Sequence, residues 1–141
     1  MAPERQSLIQ FERRGVISLA QVRQTRMLDA INVAEFGQQL SDYVASNPNV
    51  CLLVNFEQVD YLSSAVLTEL LRANSAAKQL GGSVRLCGLS QDIQEVFKIT
   101  NLDRVFTIYQ TDDVEEASKR FMRSIEVEAQ EKSWERLSGE E

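Results

Sequence analysis

The sequence predicts a small α/β domain built on a mostly parallel sheet, and three observations carry that expectation. Strand-like apolar runs alternate with amphipathic runs of helical period. VCLLVNF at 50–56 is apolar almost throughout, as a strand covered on both faces should be. Turn signals stand where one character gives way to the next: Asn47-Pro48-Asn49 and Gly81-Gly82.

The elements follow in order. SLIQFERRGVISLAQV (7–22) holds two short apolar runs around Arg13-Arg14-Gly15, which reads as a hairpin. VRQTRMLDAI (22–31) is an irregular polar connection ending near Asp29. Asn32 is placed to cap a helix through about Ala45, with Val33, Phe36, Leu40, Tyr43 and Val44 on one face. After the central strand at 50–56, a second helix runs from Ser63-Ser64 to about Leu80, with Leu67, Leu70, Leu71 and Ala77 inward, and Gly81-Gly82 ends it. SVRLCGL (83–89) is another strand. Ser90 then caps a short helix, QDIQEVFKIT, whose Ile93, Val96 and Phe97 face inward. VFTIY (105–109) is the last strand, and a final helix starting at Thr111 or Asp112 lines up Val114, Ala117, Phe121 and Ile125. The order is ββαβαβαβα, with right-handed crossovers between the parallel strands.

Composition narrows the function. With 141 residues and 43% hydrophobic content the chain suits one domain with one core. A net charge of −6 argues against direct DNA binding or an anionic membrane surface. No apolar run approaches the roughly 20 residues of a membrane helix, so no membrane insertion is expected. MAPERQ has no apolar stretch of a signal peptide, and the expected compartment is the cytoplasm. Cys51 and Cys87 sit in apolar runs, where a small buried, reduced thiol is expected. There is no histidine, hence neither the commonest general base nor the commonest metal ligand. The two cysteines do not make a zinc motif, and the six glycines form neither GxxxxGK[ST] nor GxGxxG. The expectation is a protein without catalytic residues, metal or cofactor.

The last sixteen residues, from Glu126, hold six Glu against Lys132 and Arg136, so −4 of the net charge lies there. They read either as a solvated helix extension or as a partner-binding segment anchored by Trp134 and Leu137. Residues 1–6 are expected to be flexible, 7–125 to form the domain and 126–141 to be an acidic extension.

Chemistry concentrates at VDYLSSAVLTELL (59–71), where a strand hands over to a helix. A serine there can cap the helix by accepting a bond from a free amide. It can also accept a phosphate, whose charge of about −1.5 to −2 would sit beside those amides and the positive end of the helix dipole. Nucleophilic catalysis by Ser63 or Ser64 has little support, because no base stands at a suitable spacing.

VDYLSSAVLTELL, followed by GGSVRLCGLSQDIQEVFKITNLDRVFTIY, resembles the STAS domain of bacterial anti-sigma factor antagonists. The resemblance covers about residues 7 to 122 and is strongest from 50 to 109. The family signature is a strand, two apolar residues, Asp-Ser, a small residue, Gly, and Leu opening a helix. Tyr61 and Leu62 match the apolar pair, Ser63 stands at the Asp, Ser64 at the phosphate-acceptor Ser, Ala65 at the small position, Val66 at the Gly and Leu67 at the Leu. Asp29 matches an acidic residue that the family carries near the phosphosite. The resemblance implies a binding module switched by phosphorylation of Ser64. Its partners would be an anti-sigma factor serine kinase and a PP2C-type phosphatase, and the module itself a monomer or weak dimer. The alternative implied is a scaffold or ligand-binding STAS subunit of a larger assembly, stressosome-like or transporter-associated.

Overall fold

The structure, a computed structural model, describes residues 8–27 and 29–139. The N-terminal six residues, expected to be flexible, lie outside the described residues. Two strands, β1 (Ile9–Arg14) and β2 (Ile17–Val22), form the hairpin, with Gly15 at φ 65° in the turn. A left-handed backbone there favours glycine, which has no Cβ to clash. The chain continues as β3 (Arg26–Met27), α1 (Ala30–Ser46), β4 (Cys51–Asn55), β5 (Tyr61–Leu62) and α2 (Ser64–Gln79). It ends as β6 (Ser83–Cys87), α3 (Gln91–Ile99), a 3-10 turn (Leu102–Arg104), β7 (Ile108–Tyr109) and α4 (Val114–Gly139).

Five strands form the main sheet in the order β1-β2-β4-β6-β7, antiparallel only at the hairpin. The expected mixed α/β domain with a mostly parallel sheet and a hairpin edge is therefore present, with β4 in the middle. Two short strands join the expected order. β3 and β5 pair in parallel beside the main sheet, Arg26 opposite Tyr61 and Met27 opposite Leu62. The polar connection at 22–31 is thus not wholly irregular. Two-residue strands leave too little alternation to be read from sequence.

The sheet has a core on each face. Leu52, Val54 and Leu86 meet Phe36, Leu40, Leu70 and Phe97 of α1, α2 and α3 on one side. Leu53, Ile17, Leu19 and Cys87 meet Ala117 and Phe121 of α4 on the other. Alternation along β4 sends Leu52 and Leu53 to opposite cores, and both are wholly buried.

Several boundaries differ from expectation for local reasons. Asp29, not Asn32, caps α1: its Oδ1 accepts from the Ile31 amide at 2.8 Å and its carbonyl from the Val33 amide at 2.9 Å. Leu71 and Val96, expected inward, are 37% and 38% exposed, because each lies at the rim of its helix's apolar stripe. The last strand shrinks to Ile108–Tyr109, since the 3-10 turn and Phe106 use the preceding residues. α4 begins at Val114, and Asp113 rather than Thr111 or Asp112 accepts from the Glu115 amide at 3.0 Å. α2 ends as expected at Gly81-Gly82, where the Gly82 amide bonds the Ala77 carbonyl at 2.7 Å and the Gly81 amide the Lys78 carbonyl at 3.1 Å, a double closure that uses Gly81 at φ 80°.

Candidate functional site

The site at the start of α2 is positioned by the β3–β5 pair. The Ser63 amide donates to the Met27 carbonyl at 2.9 Å, so the chain segments entering α1 and α2 run side by side. Two residues beyond Met27 stands Asp29, the cap of α1, and two beyond Leu62 stands Ser64, the first residue of α2. The pairing thus brings Asp29 and the serines to one end of the two packed helices.

The adjacent hydroxyls occupy different environments. Ser63 takes the N-cap position with extended backbone (φ −86°, ψ 164°), yet its side chain accepts no bond from the first turn. Its Oγ is buried and has no hydrogen-bond partner among the described residues. Ser64 and Ala65 are exposed, and Val66 is buried beneath them. So Val66 serves the core and holds the first turn down, while Ser64 stands outside it. The helix start offers unpaired amides and the positive end of the helix dipole to an anion placed there.

Three further residues shape this surface and escaped sequence reading. Arg26 holds its guanidinium 5.0 Å from the centre of the Tyr61 ring, a cation–π contact set by their opposite positions in the β3–β5 pair. Tyr61 is 53% exposed, and Ile31, in the first turn of α1, is 78% exposed. Tyr61 was legible only as an apolar motif position. Its exposure, like that of Ile31, depends on a strand pair too short to see in sequence.

Both cysteines are free, and burial pushes both thiols up. Cys87 reaches about 12, with the Glu57 charge adding a smaller push. A thiol held protonated is a poor nucleophile. Among the described residues, no helix is long and apolar enough to cross a membrane.

A second concavity lies where β6 and β7 end. The chain leaves β6 for α3 on one face of the sheet and leaves β7 for α4 on the other. The gap between them is a polar groove of about 370 Å³ bordered by Ser90, Gln91, Gln94, Gln110, Thr111 and Asp112.

Known proteins converge on the same fold. The STAS domain family profile matches residues 9–117. An anti-sigma-factor antagonist (STAS) domain protein from Planctomyces limnophilus superposes with a TM-score of 0.70 at 21% identity, covering 80% of this chain and 96% of its own. An anti-sigma factor antagonist from Mycobacterium paratuberculosis gives 0.66 at 20%, covering 79% and 92%. The Bacillus cell fate determinant SpoIIAA in its phosphorylated form gives 0.60 at 18%, covering 79% and 97%. At such identities the structures speak to fold alone, whereas the profile spans most of the chain. The chain belongs to the STAS domain family.

Proposed function

We propose that this protein is an anti-sigma factor antagonist, a binding module switched by phosphorylation at Ser64. The observation that carries the reading is the division of labour at the seam: Ser63 occupies the cap with a buried oxygen, and Ser64 is exposed on the first turn of α2. Similarity to anti-sigma factor antagonists, and to a cell fate determinant in a phosphorylated form, supports it.

In this reading the unphosphorylated surface around Ser64, with Ser63, Ala65, Asp29 and the buried support of Val66, docks an anti-sigma factor serine kinase. Ser64 Oγ attacks the γ-phosphorus of ATP held by that kinase, ADP leaves, and the hydroxyl proton passes to a base on the kinase. The new phosphate is tolerated by the helix start and repels or displaces the docked partner. A PP2C-type phosphatase then hydrolyses the ester and restores the hydroxyl. The chemistry belongs to the partners; this chain supplies an accessible acceptor on a rigid element.

Mass spectrometry after incubation with the cognate kinase and ATP tests the reading. Phosphate is expected on Ser64, none on Ser64→Ala, and unchanged uptake by Ser63→Ala. Ser64→Ala should bind the kinase constitutively, and Ser64→Asp should bind more weakly while folded, since one carboxylate only partly imitates a phosphate. Phosphate on Ser63 alone, or on neither serine, overturns it.

The groove between β6 and β7 favours a second reading, a ligand-binding STAS subunit. Crevices at the carboxyl ends of parallel strands, where connections diverge to opposite faces, are the usual ligand sites of open α/β sheets. Chemical-shift changes at Gln94 and Gln110 on adding a nucleotide would favour that reading, and an unmoved spectrum would remove it.

A further inference from the structure

We propose that the outer face of the α4 extension is a docking surface for a partner protein that presents an apolar groove rimmed by lysines or arginines. α4 has two functional faces. Ala117, Phe121 and Ile125 face the sheet, and Glu128 continues that side by pairing with Arg85 at 3.3 Å. Beyond Glu128 the helix runs on through residues 129–139, about 16 Å at 1.5 Å per residue. Every described side chain from Glu126 to Ser138 is exposed.

At 100° per residue, Val127, Trp134 and Leu137 fall on one stripe, turned away from the sheet. They are 46%, 73% and 67% exposed. Anchors spaced by seven and three residues are what an amphipathic helix lays into an apolar groove.

Charge decides what kind of partner fits. Glu126 and Glu131 flank the stripe on its two sides, Gln130 lies within it and Arg123 stands at its N-terminal end, while the cations Lys132 and Arg136 lie on the back of the helix. A groove with a basic rim meets both flanking carboxylates. A second copy of this chain meets them badly: parallel pairing sets Glu126 against Glu131 of the other copy, and antiparallel pairing sets Glu131 against Glu131. The surface is separate from Ser64, so Ser64→Ala should leave it unchanged.

The test uses the full chain with a photo-reactive benzoylphenylalanine in place of Ser133, at the edge of the stripe. After irradiation in cells the joined protein is identified, purified and titrated against the unmodified chain. The expected partner has a basic-rimmed apolar groove, and its Kd weakens about tenfold or more with Trp134→Ala, as for an aromatic anchor. Its Kd should also weaken as salt rises from about 50 to 500 mM, and stay within about twofold for Lys132→Ala. An unchanged melting temperature for Trp134→Ala shows that the fold is intact. Crosslinking only to a second copy, no crosslink, or a partner whose affinity ignores Trp134 or salt overturns the proposal.

Discussion

On one face of the sheet three helices share a continuous core in which Phe36, Phe56, Phe97, Leu52 and Leu70 are all fully buried. On the other face α4 alone covers a smaller patch and completes it with a charged residue. Arg85 lies with its guanidinium 4.3 Å from the Phe121 ring, donates to the Tyr109 hydroxyl at 2.8 Å, and reaches Glu128 at 3.3 Å. The first face owes its stability to apolar volume held between helices that brace one another. The second uses an arginine's guanidinium as part of its core: the side chain is 12% exposed, its guanidinium lies over Phe121, and its pairing with Glu128 ties down the last packed turn of α4. The contrast also separates the two proposed surfaces. The braced face carries the candidate phosphosite on rigid helix starts, and the lightly built face projects a free helical arm.

The largest expected effect separates the two cores at adjacent positions of one strand. Leu52→Ala and Leu53→Ala should each cost about 2–5 kcal/mol from lost transfer energy plus a cavity. Leu52 should lie nearer the top of that range, since braced helices collapse less readily onto a void than α4 does. Chemical denaturation of both variants checks this; near-wild-type midpoints would contradict the placement of β4, and a costlier Leu53→Ala would reverse the contrast.

Next comes Arg85. Arg85→Ala should cost about 1–3 kcal/mol by taking the guanidinium off the Phe121 ring and away from the Tyr109 hydroxyl and Glu128, and Arg85→Met, which fills the volume but restores none of those contacts, should recover only part of that loss. Glu128→Gln should cost less than about 0.5 kcal/mol, because the carboxylate is solvent-exposed. Equal losses for Arg85→Ala and Arg85→Met would show that charge, not packing, holds α4.

The small core also predicts an alkaline weakness. The folded state keeps the Cys87 proton up to about pH 12, while an exposed cysteine releases it near about 8.5. Folding therefore binds the proton more tightly. The resulting stability is whole below about pH 8.5 and is lost as the pH rises toward 12. Urea midpoints should fall between pH 8 and 11, less steeply in Cys87→Ala, and an identical slope in that variant would discard the assignment.

The smallest effects belong to the two surfaces. Ser63→Ala should stay within about 0.5 kcal/mol, unlike the loss of about 1 kcal/mol usual for an N-cap, because its hydroxyl makes no capping bond. Deleting residues 130–141 should move the melting temperature by no more than about a degree or two, since the side chains described there, 130–138, are all exposed. A larger drop would mean that the arm packs on its own domain.

The sequence by itself determined the alternation of strands and helices, the central apolar strand and the glycine closure of α2. It did so because periodicity and backbone chemistry are local: VCLLVNF can be covered on both faces only in mid-sheet, and Gly81 suits a left-handed turn. It also marked Ser63-Ser64 as a seam. Only the tertiary structure decided which serine is inside and which outside, that Asp29 caps α1, and that Arg26, Ile31 and Tyr61 border the site. The grouping of these residues at one end of α1 and α2 rests on β3 and β5, whose four residues carry no legible pattern. Arg85 is the same lesson on the other face. Nothing in SVRLC announces a guanidinium among apolar side chains, because its environment comes from Phe121 and Glu128, distant in the chain and delivered by the return of α4 across the sheet.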